Sequence, residues 1–307
     1  MGDMKKRCLV TGGLGFIGSN LVDRLVFLGH EVVVIDDLST GKKENSNTSV
    51  TYEYFSILDF ENLTKTIQKV QPNWIFHFAA WPRIQPSFED PIGHDEVNVR
   101  GCISLIRACE GVASIEAIVN SSSSSVYGDP VIYPTPESAQ ISPLSPYALQ
   151  KYAGERYIHI LGSNAGLPVA SVRYFNVYGP RSFDPANPFN AYSSVVGIFH
   201  NQIKAGNPIT ITGDGSQERD FVHVWDVANA NICVAENIAK AANQVFNVGT
   251  GKTISILELA KLFKTEYKFI DSRKGEAVIT HANCDKLKEL GWKIDIQLVD
   301  AINLGNI

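Results

Sequence analysis

A tyrosine and a lysine in SPYALQKYAGE have the types and the spacing that suit proton transfer. Tyr147 and Lys151 are four residues apart, so on a helix they lie on one face about one turn from each other. A tyrosine with its ordinary pKa near ~10 is a poor base at neutral pH, but a nearby ammonium group stabilises the phenolate and lowers that pKa. Because tyrosine and lysine fall at this spacing in many helices, the interpretation depends on what surrounds them.

Five consecutive serines, residues 121–125 in SSSSSVYG, form a second candidate group. Polar runs of this kind are often disordered, but here the apolar segment IEAIVN precedes the serines and a turn, GDP, follows. The serines are therefore predicted at the carboxyl end of a buried strand, which is where parallel α/β sheets bind ligands. In that position Ser123 or Ser125 can hydrogen-bond an alcohol that Tyr147 deprotonates.

The segments around these residues alternate between two kinds of pattern. The apolar runs CLVTG, EVVVID, WIFHFAA, IEAIVNSS and PVASVRYFN alternate with amphipathic segments of helix length. This alternation is typical of βαβ units and predicts an α/β fold with a doubly wound parallel sheet. Residues 1–175 are predicted to form that domain, to which residues 224–250 return. Residues 176–223 and 251–307 are predicted to form a smaller substrate-binding region.

A glycine-rich turn follows the first predicted strand. In TGGLGFIGSNL the glycines have the spacing G-x-x-G-x-x-G, which lets the backbone approach a pyrophosphate and directs a helix N-terminus at it. Asp36 ends the second strand 24 positions after Gly12, near the ~20-residue interval of an acid that binds the adenosine ribose. Since an acid there repels a 2′-phosphate, the predicted cofactor is NAD. The positive nicotinamide ring of NAD+ would act together with the Lys151 ammonium to lower the pKa of Tyr147. The predicted contacts of this motif are Gly12, Gly15, Phe16, Ile17, Gly18 and Asp36.

Composition and charge narrow the classes of function. The chain has 307 residues, of which 44% are hydrophobic, as expected for a globular protein with a sizeable core. The net charge of −5 and the absence of a dense Lys/Arg stripe argue against a nucleic-acid partner. With no signal segment and no apolar stretch of ~18 residues, we expect no membrane partner and a cytoplasmic location. The five cysteines have no metal-like spacing, so we expect reduced thiols and no metal site.

Seven segments, in this order, resemble the extended short-chain dehydrogenase/reductase family of nucleotide-sugar epimerases and dehydratases. They are TGGLGFIGS, IDDLSTG, FHFAA, SSSSSVYG, YALQK, VRYFNVYGPR and GDGSQERDFVHV. The resemblance implies that Ser123, Tyr147 and Lys151 are catalytic, with Tyr147 and Lys151 also contacting NAD. It further implies a nucleotide-sugar substrate, here expected to be a UDP-sugar, and a homodimer packed through two helices per subunit.

The same resemblance assigns the remaining binding residues. Ile57 corresponds to a cofactor contact after the third strand, and Tyr174 is expected to line the nicotinamide pocket. Arginine binds phosphate oxygens bidentately, which suits the predicted diphosphate site. The predicted substrate-binding residues are Ser123, Ser125, Asn176, Arg219 and Arg273. The position that tunes acceptance of N-acetyl groups falls on Ile279 or Thr280.

The residues before V-Y-G favour one activity within this family. Dehydratases that resemble this chain carry Thr-Asp-Glu there and decarboxylases carry Thr-Ser-Glu, whereas this chain has three serines. Elimination of water needs a carboxylate acid and base. The resemblance therefore favours a UDP-sugar 4-epimerase acting on UDP-glucose/galactose or UDP-N-acetylglucosamine/galactosamine, in which Tyr147 takes the C4 proton and NAD+ accepts and returns hydride. The alternatives are UDP-glucuronate 4-epimerisation, another activity of the family (2-epimerase, dehydratase or reductase), and a non-catalytic role as an NAD-binding regulator.

Two positions near predicted strand ends have less specific patterns. His77 in FHFAA, flanked by apolar residues, is interpreted as a structural histidine rather than a catalyst. Arg83 and Ser87 in WPRIQPSFEDP either face the sugar or belong to a solvated loop.

Overall fold

A seven-stranded parallel sheet forms the centre of the fold. The computed structural model describes residues 5–183, 194–272 and 277–307. In chain order the strands are β1 (Arg7–Thr11), β2 (Glu31–Ile35), β3 (Thr51–Glu53), β4 (Trp74–His77), β5 (Ala117–Ser123), β6 (Val169–Tyr174), β7 (Asn176–Tyr178), β8 (Ile209–Thr212), β9 (Glu218–Arg219), β10 (Phe221–His223), β11 (Val245–Val248), β12 (Ile254–Ser255), β13 (Tyr267–Ile270) and β14 (Ile279–Thr280).

Helices of different lengths connect these strands. The α-helices are α1 (Phe16–Phe27), α2 (Phe60–Val70), α3 (Ile84–Glu89), α4 (Pro91–Asp95), α5 (Gly101–Cys109), α6 (Pro146–Asn164), α7 (Val195–Lys204), α8 (Val224–Glu236), α9 (Ile238–Ala241), α10 (Ile256–Leu262), α11 (Asp285–Lys288) and α12 (Leu298–Leu304). Short 3-10 helices span Lys43–Asn45 and Ser124–Tyr127, and a π-helical turn over Glu96–Arg100 leads into α5.

The large sheet has the strand order β11-β6-β5-β4-β1-β2-β3, and all neighbouring strands are parallel. Because side chains alternate along a strand, a parallel strand covered on both faces contributes to two cores. In β1, Cys8 and Val10 pack with side chains of α1 and α8, whereas Leu9 packs with side chains of α2, α5 and α6. Helices therefore cover both faces, and the predicted doubly wound parallel sheet is confirmed.

A smaller core lies beside the large sheet. Tyr178, Phe199 and Leu259 are among its buried residues, and it is built from short two- and three-stranded sheets with α7 and α10. The chain returns to the large sheet at α8, which packs against α1, and at β11, which pairs with β6. Leu287 and Trp292, which the predicted boundaries assign to the second domain, pack into the larger core. The domain boundaries themselves stay a prediction.

The parallel arrangement brings several strand ends to one edge of the sheet. β1 ends before the glycine turn, β2 ends before Asp36, and β5 ends at Ser123. Helix α6 begins next to this edge, where the Ser145 hydroxyl accepts a hydrogen bond from the Ala148 N–H at 3.2 Å and caps the helix. Tyr147 therefore lies in the first turn of α6, with Lys151 one turn further along.

Candidate active site

A cleft of about 1130 Å³ follows this edge of the sheet and extends to the smaller core. Every predicted site residue within the described part of the chain lines it. These residues are Gly12, Gly15, Phe16, Ile17, Gly18, Asp36, Ile57, Ser123, Ser125, Tyr147, Lys151, Tyr174, Asn176 and Arg219. Arg273 lies outside the described residues. The structure thus brings the predicted residues together, while the role of each stays a prediction.

The turn after β1 holds the backbone where side chains cannot fit. Gly12 has a φ of +70°, and an added Cβ would lie 2.6 Å from the Ala79 nitrogen. At Gly18 an added Cβ would lie 2.3 Å from the Gly12 carbonyl oxygen. Helix α1 begins directly after Gly15, and the first N–H groups of a helix lack partners within it and favour an anion. This turn therefore fits the pyrophosphate of a dinucleotide.

Asp36 is held at the cleft wall by backbone hydrogen bonds. Its Oδ2 accepts from the Leu14 N–H and its Oδ1 from the Leu38 N–H, both at 2.9 Å. Burial raises the pKa of the Asp36 carboxyl, while these two hydrogen bonds oppose the rise. Since each carboxylate oxygen has two lone pairs, both oxygens can also accept hydroxyl groups of a ribose.

Hydroxyl groups converge on Tyr147. The Ser123 and Tyr147 side chains are hydrogen-bonded, and Ser125 Oγ donates to Ser123 Oγ at 2.9 Å. From α3, Ser87 Oγ accepts the Tyr147 N–H at 3.0 Å and so fixes the first turn of α6. The serine run is therefore an ordered hydroxyl cluster beside a tyrosine.

Burial has the largest effect on the pKa of Tyr147 in the protein alone. It raises the pKa of the Tyr147 hydroxyl, and the hydrogen bond with Ser123 and the Arg83 guanidinium only partly offset this. The lowering predicted for Lys151 together with the positive nicotinamide ring of NAD+ concerns the protein with NAD bound, and it stays a prediction. Burial also lowers the pKa of Lys151. The cation that acts on the tyrosine hydroxyl is Arg83, a residue whose position the sequence left open.

His77 has structural partners. The ring lies within hydrogen-bond distance of Thr11 Oγ1 through Nδ1, at 2.7 Å, and of Cys102 Sγ through Nε2, at 3.5 Å. Burial, with a smaller effect of Lys151, lowers the pKa of His77 to about 3. The ring is therefore neutral at pH 7 and is held behind the site, as the structural interpretation expects.

Two further substrate-binding candidates, Asn176 and Arg219, lie on the short strands β7 and β9. Asn176 Nδ2 donates to the Asp220 carbonyl at 3.2 Å and to Thr280 Oγ1 at 2.7 Å. Arg219 Nη1 donates to the carbonyls of Glu218 and Val278, at 2.9 and 3.1 Å. Strand β14 pairs with β9 so that Thr280 lies beside Arg219 in register, and Thr280 lines the cleft.

Two less polar walls complete the cofactor side. Tyr174 stacks on Phe78, with ring centroids 6.3 Å apart and an interplanar angle of 6°, and its hydroxyl donates to Asn231 Oδ1 at 2.8 Å. Ile57 is buried and packs against Gly101 of α5. Both side chains are therefore fixed in position.

A buried ion pair beneath the serines was not predicted. Arg173 of β6 donates to Glu155 of α6 through Nη2 to Oε1 at 2.6 Å and through Nε to Oε2 at 2.9 Å. Ser122 Oγ also donates to Glu155 Oε2, at 2.7 Å. The sequence offered one indication of this pair. Glu155 is four residues after Lys151 and therefore lies on the same face of α6. The pair ties α6 to the end of β5, where Ser123 meets Tyr147.

Two expected absences concern other kinds of site. Within the described ranges, no group of three or more His, Cys, Asp or Glu side chains could hold a metal ion. In that same part of the chain, no helix is long and apolar enough to cross a membrane.

Residues 8–249 match the model of the NAD dependent epimerase/dehydratase family. The chain belongs to this family. UDP-glucose 4-epimerase from Mycolicibacterium smegmatis is 37% identical over 308 residues, which cover 96% of each protein. The crystal structure of UDP-glucose 4-epimerase with UDP-glucose from Thermotoga maritima has a TM-score of 0.91 at 35% identity, covering 97% of this chain and 96% of that one. UDP-N-acetylglucosamine 4-epimerase from Methanobrevibacter ruminantium M1, in complex with UDP-N-acetylmuramic acid, has a TM-score of 0.89 at 34% identity, covering 98% and 96%.

Membership of the NAD dependent epimerase/dehydratase family confirms two predictions. The resemblance to extended short-chain nucleotide-sugar enzymes is correct, and NAD is the cofactor. The geometry fits this cofactor, because the glycine turn excludes a Cβ at Gly12 and Gly18 and the Asp36 carboxylate lines the same cleft.

Proposed function

We infer that this enzyme inverts the configuration at C4 of a UDP-sugar. The inference depends mainly on the hydrogen bond between Ser123 and Tyr147, with Lys151 one turn along the same helix in the NAD cleft. In this arrangement Tyr147 takes the proton of the C4 hydroxyl, and Ser123 holds the same oxygen. The names of the relatives, UDP-glucose and UDP-N-acetylglucosamine 4-epimerases, support this activity.

The predicted site residues have defined tasks in such a reaction. When bound, NAD supplies the reversible electron acceptor that inversion at a carbon centre requires. Lys151 binds the nicotinamide ribose, and the stacked rings of Tyr174 and Phe78 form the wall beside it. Asn176 and Arg219 bind the diphosphate, because the nucleotide must stay anchored while the oxidised sugar turns to present its opposite face.

The charges of the cleft favour epimerisation over dehydration. Among the lining residues that the structure describes, the acids are Asp36, Asp37 and Glu44, which follow β2. β2 is separated from β5 by β1 and β4, so these acids lie three strand spacings, about 14 Å, from the serines. No described carboxylate of the cleft lining is thus placed to remove and return the proton that elimination of water requires.

A homodimer is the assembly that we propose. Leu149 and Ile160 are 55% and 57% exposed on α6, and their spacing of 11 residues puts both on one face of the helix. Two such faces would cover each other in a symmetric dimer, which sedimentation equilibrium would test. The cytoplasmic location stays a prediction.

The activity can be tested by proton NMR with UDP-glucose, UDP-N-acetylglucosamine and UDP-glucuronate in turn, without added NAD. Appearance of a C4-inverted anomeric signal supports the proposal and identifies the C2 and C6 groups that are accepted. In the same assay Tyr147→Phe is expected to lower turnover by about 10²- to 10⁴-fold with NAD still bound, because the general base is lost. The control is Tyr157→Phe, the same change at an exposed position of α6. Full turnover by Tyr147→Phe would refute the role of Tyr147.

A further inference from the structure

Arg83 has a backbone conformation that is unusual for an arginine. Its φ of 88° and ψ of 147° lie in a region that only glycine adopts without strain. The segment that carries Arg83 is anchored before and after it. Trp81 and Asn98 exchange two hydrogen bonds, of 2.8 and 3.0 Å. Ser87 Oγ accepts the Tyr147 N–H. Arg83 lies between these anchors and lines the cleft.

The positive charges of the cleft have separate positions. In the described part of the lining they are Lys42, Arg83, Lys151, Arg181 and Arg219. Lys42 lies in the loop after β2, on the Asp36 side of the cleft. Arg181 forms an ion pair of 2.8 Å with Asp23. Arg219 belongs to the diphosphate site, and Lys151 lies along α6. Arg83 lines the same cleft as Tyr147, its charge acts on the Tyr147 hydroxyl, and the proposed reaction assigns it no task.

The place of the sugar's C6 group relative to Arg83 follows from the proposed reaction. Arg83 follows β4, and the described acids of the lining follow β2, two strand spacings or about 10 Å away along the sheet. In the proposed reaction Tyr147 contacts O4 of the hexose. C5 is bonded to C4 and carries C6, so the C6 group lies next to the atom that Tyr147 contacts. A carboxylate at C6 would then lie near the guanidinium.

We propose that Arg83 binds a C6 carboxylate, so that the preferred substrate is a UDP-hexuronate. This rests on the proposed 4-epimerase function. The planar guanidinium can bind both carboxylate oxygens, which a neutral hydroxymethyl group cannot reproduce. The strained backbone of Arg83 then has a purpose, since it directs this fork at the sugar.

The test compares kcat/KM for UDP-glucuronate and UDP-glucose in the purified enzyme with its retained NAD. We expect the wild type to prefer UDP-glucuronate. Arg83→Gln should lower kcat/KM for UDP-glucuronate on the order of 10- to 100-fold more than for UDP-glucose, the usual effect of losing a hydrogen bond to a charged group. Arg83→Lys should lose less, because it keeps the charge but not the fork. The control for net charge is Lys65→Gln, at an exposed position of α2 remote from the cleft.

Different failures have different meanings. If the wild type inverts UDP-glucose but not UDP-glucuronate, the carboxylate proposal is overturned and the proposed function stands. Equal losses for both substrates in Arg83→Gln and Arg83→Lys would also overturn it, because Arg83 would then act only through Tyr147. If the wild type inverts neither these substrates nor UDP-N-acetylglucosamine, the proposed function fails first.

Discussion

Glu155→Gln is expected to destabilise the protein strongly although it removes only one charge. The substitution leaves the Arg173 guanidinium buried without its carboxylate, and both side chains of the pair are 5% exposed or less. Arg173 keeps its hydrogen bond to the Tyr127 hydroxyl, at 2.8 Å, but this acceptor is neutral. A glutamine also offers one acceptor oxygen to three donors, the two from Arg173 and the Ser122 hydroxyl.

The expected loss follows from the type of interaction. Removing one partner of a buried pair costs about 3–5 kcal/mol, because the remaining charge is left uncompensated in a medium of low polarity. Total unfolding free energies are about 5–15 kcal/mol, so this is a large fraction of the stability. The double variant Glu155→Gln/Arg173→Met removes both charges and should recover part of the loss. Turnover by Glu155→Gln should also fall, because the pair holds Ser122 and α6 together beneath Ser123 and Tyr147.

Urea denaturation followed by circular dichroism measures the change, at one fixed NAD concentration because NAD adds its own stabilisation. The control is Glu61→Gln, which breaks an exposed pair with Lys65 on α2 and should change little. A loss below about 1 kcal/mol for Glu155→Gln would refute the reasoning, since such losses are typical of exposed pairs. So would a double variant whose loss equals the sum of the two single losses.

Two further predictions concern Asp226 of α8, whose carboxylate accepts the N–H groups of Asp295 and Ile296, and the glycine turn. Burial raises the pKa of Asp226 to about 6, so its contribution to stability is present below its unfolded pKa and is lost as the pH rises through 6. The loss of unfolding free energy is at most about 3 kcal/mol. The difference in unfolding free energy between wild type and Asp226→Asn should therefore change by up to that amount between pH 4 and pH 7.5. A difference that stays constant over this range contradicts the assignment. Gly18→Ala should purify with little NAD, because its Cβ would lie 2.3 Å from the Gly12 carbonyl oxygen. Gly15→Ala, with the same atom at 3.3 Å, should retain more, and equal NAD contents after denaturation would exclude this steric explanation.

The parts of the site that depend on local pattern were predictable. The glycine spacing, the acid after β2 and the i, i+4 pair on α6 each follow from the geometry of one turn, one strand or one helix. Parallel strands then bring their ends to one edge, so residues as distant as Gly12 and Ser123 were expected in one cleft. The structure places them there.

Other features depend on contacts that spacing does not encode. The direction of the Tyr147 pKa shift in the protein alone depends on burial of the hydroxyl, which outweighs the effects of Ser123 and Arg83. The Glu155–Arg173 pair joins a helix to a strand, so no periodicity within either element reveals it. The positive φ of Arg83 occurs in a segment that Asn98 anchors through Trp81 and that α6 anchors through Ser87.

The sugar ring must turn over in the cleft during the proposed reaction, and this limits how Arg83 can bind the two epimers. Tyr147 must meet O4 of both epimers from one position, so the ring presents opposite faces and the C6 group cannot occupy the same place in both complexes. Arg83 should therefore bind the carboxylate of one epimer more strongly than that of the other. Because the ratio of the forward and reverse kcat/KM values equals the equilibrium constant, Arg83→Gln must lower both values by the same factor. The loss should then appear mainly in KM for the epimer that Arg83 binds and mainly in kcat for the other. Equal changes in KM for both epimers would show that Arg83 holds a group that does not move when the sugar turns.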